Sequence, residues 1–222
     1  MFEAILTKFK KSPSIGRISL IGSAIALFLL AAKPAIAHHP FGGNTPQNFF
    51  EGILSGMGHP VIGPDHFAFV VAIGLLAALK GKQGIFLPIA FILATLAGTG
   101  LHLLAIDLPA PELIISASVL AFGVLLSLKN SPNLAWLSGS AAIAGLFHGY
   151  AYGEAIVGAE MTPVIAYLAG FALIQLAIAL AAFKIARLTL KKVADQPSLP
   201  LRFAGFTISG IGVAFLSSVI LG

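Results

Sequence analysis

The feature that most constrains this chain is a recurrence of apolar segments with short polar punctuation between them. After residue 38 they fall near 60–79, 84–106, 111–128, 133–153, 163–183 and 203–221. A helix of roughly 20 apolar residues crosses about 30 Å of hydrocarbon. Charged residues make up 9% of the 222 residues and apolar residues 58%, whereas a soluble domain is roughly a quarter charged. The expected fold is therefore all-α, a polytopic membrane bundle of six transmembrane helices, with residues 45–57 forming a short surface helix before the first span. The balance excludes an ordinary soluble domain and a disordered chain. Although the net charge is +5, the basic residues are scattered, so the lipid bilayer is the expected partner and nucleic acid is not. The absence of Cys excludes disulfides, zinc–thiolate sites and iron–sulfur clusters.

The first 37 residues read as an address. Lys8, Lys10, Lys11 and Arg17 are basic, Ile18 to Ala32 is apolar, and Ala35-Ile36-Ala37 places small residues where a signal peptidase reads. Residues 1–37 are thus expected to be a signal peptide cleaved after Ala37, leaving 38–222 as the membrane domain. Beyond it every Lys and Arg lies at the first, third or fifth loop: Lys80, Lys82, Lys129, Lys184, Arg187, Lys191, Lys192 and Arg202. The second and fourth loops hold Asp107, Glu112, Glu154 and Glu160 and no base. Positive loops stay inside, so both mature termini are expected outside the inner membrane.

All the histidines then fall on the outer side. His38 and His39 begin the mature chain, His59 and His66 bracket the outer end of the first span, and His102 and His148 lie near the outer ends of the second and fourth. Asp65 and Glu154 share that level. Ionisable groups in a span cost about 2.5 kcal/mol or more when charged, so they need a partner or a purpose. Imidazoles and carboxylates gathered on one side point to a divalent metal site. Neutral imidazole suits nickel, cobalt, zinc and copper(II), and the lack of Cys and shortage of Met argue against copper(I).

Two stretches concentrate these groups. In His59-Pro60-Val61-Ile62-Gly63-Pro64-Asp65-His66, a straight helix would hold the two His about 10 Å apart along the axis, too far to share one ion. Pro60, Gly63 and Pro64 predict a turn instead, with helix starting near Pro64 and Asp65 at its positive end. In Phe147-His148-Gly149-Tyr150-Ala151-Tyr152-Gly153-Glu154, His148 and Tyr152 share a helix face. Gly145, Gly149 and Gly153 form a stripe for close helix approach, within one chain or between copies in a homo-oligomer. Thr95, Thr99 and His102 give the second span one polar face.

At these two motifs the sequence resembles the HupE/UreJ family of membrane proteins, associated with hydrogenase and urease accessory functions. The family's His-Pro-x-x-Gly-x-Asp-His signature is met by His59, Pro60, Gly63, Asp65 and His66. Its second, close to Phe-His-Gly-x-Ala-His-Gly-x-Glu, is met with Tyr152 in place of the second His and with Glu154 one position early. The resemblance implies a secondary permease for nickel or cobalt, with a functional link to enzymes that use those metals. The metal is cargo, and no prosthetic group is expected. On this reading His38, His39 or His59 catches the ion. Asp65, His66 and His148 hold it partly dehydrated, with His102 and Glu154 close by. No Gly-x-x-x-x-Gly-Lys-Ser/Thr loop is present, so the chain alone is not an ATP-driven pump. The alternatives are an intramembrane zinc-dependent hydrolase, disfavoured because no His-Glu-x-x-His occurs, and an accessory subunit that delivers metal to a partner.

Overall fold

The computed structural model describes residues 44–192 and 199–222. The expected signal peptide, His38 and His39 lie outside the described residues. The described chain is helical: α1 (Phe49–Ile62), α2 (Pro64–Leu79), α3 (Phe86–Leu103), α4 (Pro111–Ser127), α5 (Leu134–Gly153), α6 (Met161–Lys192) and α7 (Leu199–Leu221). Short 3-10 turns at Gly81–Ile85 and Glu154–Ile156 lead into α3 and out of α5.

Local chemistry sets the starts. The Asn48 side chain accepts from the Glu51 backbone N–H at 3.0 Å, and Glu51 returns a carboxylate to the Gln47 N–H at 2.8 Å. These two bonds satisfy donors the first turn of α1 leaves open. Asn133 caps α5 by accepting from Trp136 N–H at 2.8 Å. Pro64 and Pro111 open α2 and α4 at the one turn where a missing N–H costs nothing.

α2 is the axis of the bundle. From Ala68 to Ala78 nearly every residue is buried, including Phe69, Ile73 and Leu76, and a helix apolar all round belongs inside. α3 packs along α5, α4 along α7, and α1 along α6, while α2 touches α4 and α6. Glycines set these approaches. A methyl on Gly149 would strike the Thr95 carbonyl, one on Gly98 the Leu146 carbonyl, and one on Gly153 the His102 side chain. The stripe on α5 is therefore spent on α3 of the same chain. The outer faces carry exposed Phe50, Leu93, Ile143, Ile165, Ile185, Phe203 and Ile220, more apolar surface than a soluble monomer shows to water.

Among the described residues three helices, α3 with its leading turn, α6 and α7, are long and apolar enough to cross a membrane, and the α1–α2 pair makes a fourth if taken as one broken span. α4 is apolar but has 17 residues. The boundaries differ from expectation in two places. α6 runs to Lys192 as 32 residues, about 48 Å at 1.5 Å per residue. That outruns the hydrocarbon and carries Lys184, Arg187 and Lys191 beyond it. The other difference is at Pro60, which was expected in a turn and lies inside α1. The ring removes a bond that only the last turn would have used, while Gly52 and Gly56 keep α1 pressed on Pro163 and Tyr167 of α6. The break is confined to Gly63, and the helices on either side meet at 80°.

Candidate metal-binding site at the α1–α2 break

The bend folds the first motif onto itself. His59, in the last turn of α1, and His66, in the first turn of α2, have ring centroids 5.6 Å apart. Both are buried, 7% exposed each. Gly63 is extended, at φ −77° and ψ 105°, which any residue could adopt. The demand for glycine is spatial: a Cβ there would lie 2.8 Å from Cδ2 of His66. Gly63→Ala is accordingly expected to keep the fold but push the His66 ring aside. It should weaken metal binding about tenfold, the scale of losing an orienting contact. Titrating nickel or cobalt into the purified variant checks this.

Three helices close the site. α5 brings His148, fully buried, with Nδ1 2.8 Å from Nδ1 of His66. The Phe69 ring lies 4.5 Å from the His148 ring, so the pair sits on the apolar core. α4 brings Ser118, whose Oγ is 3.0 Å from the His148 Nε2. α6 brings Tyr167, whose hydroxyl is 3.0 Å from the His59 Nδ1 and donates to the Tyr152 carbonyl at 2.9 Å. The Tyr152 ring packs against both imidazoles, 4.8 Å from His59 and 4.7 Å from His66, the three rings forming a triangle. It is fully buried, and its hydroxyl has no hydrogen-bond partner among the described residues.

The remaining candidates have other company. Asp65, partly buried, accepts from the His66 backbone N–H at 2.8 Å, so it fixes the first turn of α2. The His102 ring meets the Tyr150 ring edge to face at 4.4 Å, and the Tyr150 hydroxyl donates to Asp107 at 3.2 Å. Glu154 is exposed on the turn after α5. Thr99 is buried and donates to the Gly149 carbonyl at 2.7 Å, a packing role. Among the described residues no three His, Asp or Glu side chains already converge as a metal cage. Ser118 and Tyr167 belong to neither motif. Their one sequence signal is a hydroxyl inside an apolar run.

An all-helical bundle with lipid-compatible faces and buried imidazoles at a broken helix defines a class of polytopic membrane protein. The family model for HupE / UreJ protein matches residues 25–215, and the chain belongs to that family. It is similar to the Protein HupE of Rhizobium leguminosarum bv. viciae, 29% identical over 189 residues, covering 83% of this chain and 92% of that protein. No solved structure matches.

Proposed function

We propose that the protein is a secondary permease that admits nickel or cobalt as a divalent cation from outside the inner membrane. The observation that carries this reading is the pair of buried imidazoles, His59 and His66, brought together across the Gly63 break. Broken backbone at membrane depth is tolerated where it lines a site, and imidazole is a ligand suited to both ions. Asp65, at the positive end of α2, is the nearby carboxylate that offsets cation charge as water is shed. His38 and His39 serve as first capture groups once residues 1–37 are removed, and His102 and Glu154 line the outer approach. Residues 38–222 form the permease domain, with both ends outside.

The basic residues support this orientation. Lys80 donates to the Ser131 carbonyl at 3.2 Å and Arg202 to the Ser127 carbonyl at 2.9 Å. They are thereby gathered at the end of the bundle remote from the imidazoles, which is the inner end by the positive-inside rule. A negative-inside potential contributes about 2.3 kcal/mol per charge per 100 mV, roughly twice that for a divalent ion. Entry therefore needs no ATP, and a rearrangement of the bundle opens the site inward. The role served is supply to nickel- or cobalt-dependent enzymes rather than catalysis, and the ion is cargo.

Uptake of radioactive nickel and cobalt into proteoliposomes holding the full chain tests the reading. Potential-driven uptake of either ion supports it. Binding without uptake would favour an accessory protein that hands metal on, and peptide or lipid hydrolysis would favour the zinc enzyme.

A further inference from the structure

The end of the bundle remote from the imidazoles holds a cavity of about 290 Å³, walled by the ends of α2 and α4, the start of α7 and the loop between α4 and α5. Leu126 and Leu201 line its buried side, and Lys129 and Asn130 its exposed side. Two basic residues hold the walls in place. Lys80, half-buried, donates from Nζ to the Ser131 carbonyl at 3.2 Å and draws the loop over the end of α2. Arg202 donates from Nε to the Ser127 carbonyl at 2.9 Å and ties α7 to the end of α4. Gly205 lets those two helices close up, since a Cβ there would lie 2.6 Å from the Ser127 Oγ.

An ammonium has three N–H donors, and the Ser131 carbonyl takes one of those on Lys80. No Asp or Glu stands among the described lining residues. The cavity therefore offers two positive charges and the Asn130 amide, a donor set suited to the several oxygens of a phosphate. The neighbouring surface says what carries that phosphate. Val124 and Leu128 are 44% and 46% exposed and lie one turn apart at the end of α4, so an apolar track leads out of the cavity along the helix. α4 has 17 residues, about 25 Å at 1.5 Å per residue, short of the roughly 30 Å of hydrocarbon. A bilayer meets a short span by thinning, which brings lipid headgroups to the level of the helix end. Basic pockets between helices on the cytoplasmic side are suited to anionic headgroups.

We propose that this cavity binds the phosphate of an anionic phospholipid of the inner leaflet, with Lys80 and Lys129 on the phosphate oxygens and an acyl chain along Leu128 and Val124. The bound lipid bridges α2, α4 and α7. Its headgroup chemistry stands apart from the imidazole site and from the permease reading.

Native mass spectrometry of the full chain in detergent tests this, with phosphatidylglycerol, phosphatidylcholine and inorganic phosphate titrated separately. The wild type is expected to retain one phosphatidylglycerol in preference to phosphatidylcholine. Lys129→Gln, at an exposed position, should weaken that lipid about fivefold, and the double variant with Lys80→Gln about 25-fold, the scale of one basic side chain each. Lys184→Gln with Lys191→Gln removes the same charge from exposed positions on α6 and should leave retention unchanged. Equal retention of the two lipids by the wild type overturns the proposal, as does an equal loss in the α6 variant, because charge anywhere would then serve. If the Lys80 variant fails to fold, Lys129→Gln decides alone: undiminished retention of phosphatidylglycerol overturns the site. Binding of inorganic phosphate without retention of phosphatidylglycerol overturns the lipid as occupant.

Discussion

His66→Asn is expected to abolish nickel or cobalt uptake, more than about 100-fold, while leaving the bundle folded. The asparagine amide can donate or accept in place of the His66 Nδ1, so the buried Nδ1 of His148, now 2.8 Å from its partner, is not orphaned. Stranding a buried acceptor costs about 1–3 kcal/mol, which is why His66→Ala is the poorer experiment: its loss of uptake would mix a missing ligand with a loosened core. Asparagine keeps that contact but removes the imidazole. Uptake measured beside the melting temperature separates the two effects. Wild-type transport by His66→Asn would remove His66 from the ligand set.

The second large effect is at Tyr152. Its ring packs against both His59 and His66 and on Phe171 at 5.3 Å. Tyr152→Ala would empty a fully buried site, and large-to-small aromatic changes in cores cost about 3–5 kcal/mol. A drop in melting temperature together with loss of binding is expected, because both imidazoles lose the wall they pack on. Tyr152→Phe keeps that wall and removes a hydroxyl with no partner among the described residues. Its stability should match or exceed the wild type, since deleting an unpaired buried polar group relieves a desolvation cost. A clear fall in stability for Tyr152→Phe would mean that the hydroxyl is paired in the membrane.

Much of this could be read from the chain. Apolar runs bounded by Pro, Gly and Asn gave helices at the expected places, because in such segments burial and capping point the same way. The break at Gly63-Pro64 followed from proline chemistry, and the meeting of His59 with His66 followed from the break. Pro60 predicts a turn from its local chemistry and lies in helix because the Gly52 and Gly56 face holds α1 on α6. The glycine stripe of α5 was legible as a packing surface, but its partner α3 was not, since spacing says nothing about which helix approaches. Tyr152 is legible only as a departure from a motif, and packing is what places it against both rings. Ser118 and Tyr167 were out of reach: a serine and a tyrosine in apolar runs bear no sequence relation to His148 and His59, 30 and 108 positions away. His148 is legible as a candidate from its residue type, whereas its neighbours His66 and Ser118 are visible only in the packing.

X-ray absorption at the metal edge, on nickel- or cobalt-loaded protein in nanodiscs, reports the ligands themselves. If His59 and His66 share the ion, the spectrum shows imidazole scattering that weakens in His66→Asn and again in the double variant with His59→Asn. A shell of oxygen alone, or one untouched by both substitutions, would contradict the account.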